Sequence, residues 1–378
     1  MPFSNADQNL LKPALRPLFY VVDWLPPDFG AVGQYALIAS KQLAAAGREV
    51  FLIGLTRNAS SEETCRFPET GGVLTIKKLH TRPYEKARYA RRLLWTFATN
   101  GRLLWTVMRH RASYRADITL TGAPPFMLYF AVALKYLRRA RLTYRITDFY
   151  PEVIIAHLGR DTFLLRLLLR LTWLLRKRID HFEALGEDQR ELLLKGGIQP
   201  EQVDVRRDTA PIAITGHETP AARPPSLAGH KVLLYSGNYG VAHEVETVAD
   251  GLVRHHRAGA QRFGLWLNAT GQNADLIESR LKDQGIPVAR TAPVELKDFP
   301  ALLAAADAHL ITLRPEFSGY VFPSKVYGCI LSGRPIIFVG PASSDVHLLC
   351  SKAEQRYVRI EPGDAAAFAR TLDTLGSD

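Results

Sequence analysis

One local pattern occurs twice in this chain and limits its fold more than any other feature. Residues 18–24, LFYVVDW, form an apolar, aromatic and β-branched run that enters LPPDFGAVGQY and then the helical pattern ALIASKQLAAAG. About 213 residues later KVLLYSGNYGVAHEVETVADGLVRH repeats the order strand, glycine loop, helix. In each copy the glycines, Gly30 and Gly33 in the first and Gly237 and Gly240 in the second, let the backbone turn sharply and approach a ligand. The helix start behind them offers free N–H groups to an anion. Two such openings predict an α/β chain of two Rossmann-like domains facing across a cleft, with ligands at the carboxyl ends of parallel strands. Residues 209–230 are rich in Pro, Gly, Ala and Thr and lack periodicity, so they read as a linker between a domain at 1–208 and one at 231–378.

A length of 378 residues suits two full cores, and 47% hydrophobic with 22% charged residues is ordinary globular composition. The three cysteines, Cys65, Cys329 and Cys350, are too scattered for a disulfide framework or a zinc site, and no ligand cluster for a metal is visible. The first 17 residues lack the apolar core of a signal peptide, and no apolar run is long enough to span a bilayer. The expected location is therefore the cytoplasm, peripheral to the inner face of the plasma membrane.

The net charge of +11 is unevenly distributed. Residues 1–210 hold 32 Lys and Arg against 20 Asp and Glu, a balance of +12, whereas 211–378 hold 16 against 17. The first half thus predicts a partner with a negative surface. Between Glu85 and Asp117 no acidic residue occurs, and Arg91, Arg92, Arg102 and Arg109 alternate with Trp95, Trp105 and aliphatic residues. This reads as a basic amphipathic helix, or two broken near Gly101. FLLRLLLRLTWLLRKRID at 163–180 repeats the theme with Arg166, Arg170 and Trp173. Helices of this kind lie in anionic membrane interfaces; the other reading is of two core helices with solvated arginines. Nucleic acid is disfavoured as a partner because the cations are interleaved with long aliphatic runs instead of stacking residues.

The chemistry is expected at Glu316–Gly340, EFSGYVFPSKVYGCILSGRPIIFVG. Pro323, Ser324 and Lys325 form a helix start carrying a hydroxyl and a cation, a terminus suited to an anion, and Gly333 and Pro335 separate that helix from a short buried strand. Lys325 is otherwise a solvated lysine on an ordinary loop. RLTYRITDFYPEV is a strand that delivers Asp148 and Glu152 to its carboxyl end, either as site residues or as a helix-capping pair.

These motifs together resemble family 4 glycosyltransferases, retaining enzymes of the GT-B fold that use nucleotide-sugar donors. The resemblance runs from about residue 18 to about residue 365 and is nearest to the bacterial exopolysaccharide and O-antigen assembly subgroup with a Pro-Ser-Lys-x-Tyr-Gly motif. It rests on PPDFGAVGQYA, TDFYPE, YSGNYGVAHEVET, PSKVYG and the Gly-Arg-Pro step at 333–335. It implies transfer of a sugar from a nucleotide-diphosphate donor to a membrane-associated, polyprenyl-diphosphate-linked saccharide acceptor, with no metal or other cofactor. Carried onto this chain, it places the donor at Gly30, Gly33, Gly237, Asn238, Gly240, Arg314, Glu316, Ser324 and Lys325. Asp148, His243 and Lys325 become the catalytic candidates, His243 being otherwise a structural loop residue. Two departures stand out. The acidic pair of many members falls on Tyr320 and Gly328, and no Arg and Lys follow Gly240. The ribose contact is thus unassigned, with Glu316 as a substitute or a surface carboxylate, and a non-catalytic two-lobed sugar or nucleotide binder is the alternative reading. The chain is also expected to lack the terminal helix by which family members often cross back onto the first domain.

Overall fold

The computed structural model describes residues 15–28, 30–82, 89–122, 125–160, 162–210, 212–259 and 262–377. By contacts the chain divides into two units. The first comprises residues up to Thr147 with Arg170–Glu183 and Gly197–Asp204, and the second comprises Asp148–Leu169, Ala184–Gly196 and Val205–Asp378. The division differs from a single boundary at 208 because the chain passes between the units several times, once within a helix.

The strands and helices of the first half are β1 (Leu18–Trp24), α1 (Ala31–Ala45), β2 (Glu49–Thr56), β3 (Ser61–Phe67), β4 (Gly72–His80), α2 (Tyr89–Arg109), β5 (Asp117–Thr121), α3 (Met127–Arg138), β6 (Arg141–Ile146), α4 (Glu152–Leu158), α5 (Phe163–Arg176), β7 (His181–Ala184), α6 (Glu187–Lys195) and β8 (Val203–Val205). Their sheet has the order β3-β4-β2-β1-β5-β6-β7-β8. β1 pairs in parallel with β2 and β5, β2 with β4, and β5 with β6, while β3 is an antiparallel edge. The order reverses at β1, the strand that enters the first glycine loop, and such a switch point is where open α/β sheets leave a crevice. Leu18, Tyr20, Val22, Val50, Leu52 and Leu74 are buried between this sheet and α1, which explains the near-continuous apolar runs.

The second half contains β9 (Lys231–Asn238), α7 (Glu246–Arg257), β10 (Phe263–Thr270), α8 (Gln272–Asp283), β11 (Val288–Thr291), α9 (Phe299–Ala304), β12 (Ala308–Thr312), α10 (Lys325–Leu331), β13 (Ile336–Val339), α11 (Asp345–Cys350), β14 (Tyr357–Ile360) and α12 (Ala365–Ser377). The sheet order is β11-β10-β9-β12-β13-β14, every pair parallel. Again the reversal falls on the strand before the glycine loop, here β9.

Three local outcomes depart from the sequence reading. α2 runs unbroken through Gly101. The expected linker is laid along the second unit: the Ala221 N–H donates to the Ala301 carbonyl, Arg223 donates to the Ala305 carbonyl, and Arg223 pairs with Asp307 at 3.0 Å. A terminal helix is present as α12, and it stays within the second unit, with Phe368 and Leu372 buried in that core and Lys231 donating to the Leu375 carbonyl.

The second unit also holds a buried ion pair that sequence reasoning did not find. Asp345, fully buried at the start of α11, accepts two hydrogen bonds from Arg207 at 2.9 and 2.8 Å and one from the Glu187 N–H at 3.0 Å. Asp188 accepts from the Asp345 N–H, and its carboxyl is raised to about 6, by burial first and by the neighbouring Asp345 charge. α6, Arg207 and α11 are thereby fixed together.

Candidate functional site

In the first unit, Gly30 precedes α1 in extended conformation, and Gly33 lies in the helix's first turn instead of in the loop. A Cβ at Gly33 would stand 1.8 Å from the Trp24 carbonyl oxygen, so only glycine lets the helix start lie against the end of β1. Beside it, at the carboxyl end of β1, Asp23 has a buried, unpartnered Oδ1, and burial raises its carboxyl to about 6. Sequence reasoning missed Asp23 because an aspartate closing a strand carries no pattern; its burial is the only signal.

The second unit's site is built on β9 and the loop after it. Gly237 takes φ 117°, which only glycine adopts without strain, and turns the chain out of the sheet. The loop is fastened on several sides. Tyr239 stacks on Tyr235 with ring centroids 4.1 Å apart and donates to the Glu244 carbonyl. Asn273 donates to the carbonyls of Gly240 and His243 at 2.9 and 3.0 Å. The Glu244 carboxylate accepts from the Thr247 N–H and hydroxyl at the start of α7. Asn238 remains exposed at the rim.

Lys325, the first residue of α10, points back to this loop. Its Nζ lies 3.2 Å from the centroid of the Tyr235 ring, and its Cε lies 3.8 Å from where a Cβ of Gly237 would be. The residue is partly exposed along its stem, but Nζ itself is buried and makes no hydrogen bond. An amine so placed has lost water without gaining an acceptor, and burial holds it well below the usual lysine range. Ser324 precedes α10 with no side-chain capping bond.

His243 is buried in the same cluster, edge-on to Tyr235 and Tyr239. Its Nδ1 stands 2.7 Å from the Thr312 carbonyl oxygen, which only accepts, so the proton is on Nδ1 and Nε2 is an acceptor. Burial first, and the Lys325 charge second, lower its pKa to about 3.

Of the remaining candidates, Arg314 is joined to the glycine loop through its backbone N–H, which donates to the Ala242 carbonyl at 2.9 Å. The side chains of Arg314 and Glu316 pair with each other at 3.1 Å on the loop after β12, and the Glu316 backbone N–H first, with Arg314 second, holds the Glu316 carboxyl below its usual range. Asp148 bridges to Val321, and the Phe149 N–H donates to the Tyr320 carbonyl, so this segment is tied to the 316–322 loop within the second unit. The Tyr320 ring lies 6.3 Å from that of Phe149 and is tilted to it by 46°, and position 328 faces Phe299 and Leu303, apolar surroundings in which a carboxylate would be unpartnered.

Of the membrane-facing candidates, Arg91, Arg102, Arg109, Arg166 and Arg170 are exposed, and Arg102 donates to the His80 carbonyl. The side chain of Arg92, with Lys86 and Arg88, lies outside the described residues. Trp95 is half-buried: its ring stacks on Trp24 at 6.1 Å and its indole N–H donates to the Arg82 carbonyl. Trp173 is half-buried as well, with the Arg176 guanidinium 4.5 Å from its ring. Trp105 and Arg109 border a half-open cavity of about 390 Å³ with Phe19, Phe51 and His110. No described helix is long and apolar enough to cross a membrane.

No family model matches the chain. It is 23% identical over 282 residues to WbjE of Pseudomonas aeruginosa, described as a probable glycosyltransferase, covering 72% of this chain and 69% of that protein. Solved structures share the fold at about one residue in eight. HepE of Anabaena in complex with UDP and glucose aligns with a TM-score of 0.61 at 13% identity, over 96% of this chain and 90% of HepE. Sucrose-phosphate synthase from Thermosynechococcus elongatus aligns at 0.65 and 13%, again over 96% and 90%. The UDP-forming α,α-trehalose-phosphate synthase from Burkholderia vietnamiensis aligns at 0.60 and 12%, over 94% and 90%. The fold of this chain is that of these solved neighbours, two-domain α/β of the GT-B type, and its curated relative is described as a probable glycosyltransferase.

Proposed function

We propose that the chain is a retaining glycosyltransferase of family 4 that moves a sugar from a nucleotide-diphosphate donor to a membrane-associated, lipid-linked saccharide acceptor in polysaccharide assembly. The observation that carries the reading is Lys325: a buried amine without an acceptor, beside a left-handed glycine, at the switch point of a sheet. A diphosphate supplies the missing acceptor. On binding, the amine gains a charge-assisted hydrogen bond, which favours its ammonium form against the burial that opposes it. As the sugar–phosphate bond breaks, negative charge grows on the leaving diphosphate, and Lys325 with the backbone N–H groups around Gly237 and Gly240 meets it without reorganising. The UDP complex of HepE supports a uridine donor.

His243 suits a hydroxyl better than a phosphate in this reading. Its Nε2 lone pair repels a phosphate oxygen and accepts from a hydroxyl, which suits a sugar O–H. Asp148 and Asp23 are the carboxylates assigned to acceptor or sugar hydroxyls. The reading gives the reaction no metal or cofactor, so activity unchanged by EDTA is expected.

The test is a thermal-shift panel of nucleoside diphosphates and their sugars. A true donor at about 100 times its dissociation constant stabilises by roughly 2.7 kcal/mol. A panel in which no nucleotide raises the transition would remove the reading. A non-catalytic binder is favoured by the apolar surroundings of position 328; it predicts the same shifts with no release of nucleoside diphosphate from the donor.

A further inference from the structure

We infer that the exposed face of α5 is the surface on which this protein docks to an anionic membrane. The inference deepens the reading of a lipid-linked acceptor and rests on it. α5 is an inside-out amphipathic helix. Phe163, Leu164, Leu167, Leu171 and Leu174 are 75, 72, 52, 44 and 62% exposed, whereas the residues it buries are Thr172 and Arg176. Positions 163, 167, 171 and 174 fall within about 80° of one another on a helix, and Leu164 widens the same side. Large apolar residues scattered singly on a surface need no explanation; five on one helix face do.

The charge pattern selects the occupant. Arg166, Arg170 and Lys177 are exposed along one edge of the stripe, and residues 162–179 contain no acidic residue. Two copies of this chain meeting here would bring these cations together around a dry contact. A bilayer with anionic headgroups accepts both parts, the leucines below the phosphates and the cations against them. At 14 residues the helix is about 21 Å long, too short to cross and suited to lying in the interface.

Trp95 and Trp173 are half-buried against Trp24 and Arg176, so the exposed apolar area of this face comes from Phe163 and the leucines.

The experiment is vesicle sedimentation of the full chain with phosphatidylcholine alone and with phosphatidylcholine containing phosphatidylglycerol, beside UDP binding by calorimetry on the same preparations. The wild type should partition onto the anionic vesicles. Leu167→Gln with Leu171→Gln should lower that partitioning at least tenfold while UDP affinity is unchanged, and Arg170→Gln with Lys177→Gln should lower it by a similar factor, an effect that salt mimics. Wild-type partitioning by the leucine variant overturns the inference. So does a wild type that ignores vesicles and instead forms a dimer that the leucine variant loses. Vesicle binding without UDP binding would leave this surface standing and remove the transferase reading; UDP binding without vesicle binding would do the reverse.

Discussion

Replacing Lys325 by methionine should stabilise the free protein and weaken its hold on the donor. The side chains are of similar length, so the cavity is kept, and methionine removes a buried amine that makes no hydrogen bond. A buried polar group without a partner costs about 1–3 kcal/mol, and a thioether above the Tyr235 ring adds a favourable contact of about 0.3–1.5 kcal/mol. The variant should unfold a few degrees higher. The opposite effect is expected on UDP, where a charge-assisted hydrogen bond worth about 1.5–3 kcal/mol is lost, or roughly 10- to 150-fold in Kd. The pH dependence follows from the direction of the shift. The folded Lys325 holds its proton less tightly than the unfolded one, so the unfolded state binds more protons below pH 10.5 and the penalty on folding fades as pH rises toward that value. The stability gap between variant and wild type should therefore narrow between pH 7 and 10. Paired unfolding curves and UDP titrations measure all of this. A methionine variant that is less stable than wild type and binds UDP equally well would refute the reasoning.

Other outcomes follow from the same geometry. His243 and His309 are both lowered to about 3, chiefly by burial, so the native state loses stability as pH falls from about 6.5 toward 3, and His309→Gln should flatten that acid limb of the unfolding profile. Arg207→Ala leaves the fully buried Asp345 carboxylate without its cation and should cost about 3 kcal/mol in urea unfolding, more than the exposed pair Lys195 with Glu191, whose loss should fall within about 0.5 kcal/mol. Gly33→Ala forces a Cβ into the Trp24 carbonyl, so α1 must shift, and donor turnover should fall even where circular dichroism is unchanged.

The frame was legible because its signal is local. A buried parallel strand must be apolar throughout, and the turn into its helix must be glycine, so LFYVVDW and KVLLYSG announce the two switch-point strands without help from the rest of the chain. β3 was not announced: SEETCRF is exposed at the sheet edge and pairs only with β4, so no apolar run marks it. Lys325 was legible as a cation in the right place, but its burial was not, since that depends on Tyr235 some ninety residues earlier. The Arg207–Asp345 pair joins residues 138 apart, and Asp23 is distinguished only by what surrounds it. Composition shows that a helix is basic and aromatic, but which residues pack against a neighbour is set by the fold, as where Trp95 stacks on Trp24.

The central claim is a retaining transfer, and the configuration of the released sugar tests it most directly. Purified protein given the UDP-sugar that binds it, without acceptor, should release UDP slowly and yield sugar whose first anomer, followed by proton NMR before mutarotation, is the one present in the donor, with the rate lowered on the order of a hundredfold in Lys325→Ala. Release of the opposite anomer would contradict retention, and a donor that binds yet is never cleaved, even with a lipid-linked acceptor supplied, would contradict catalysis itself.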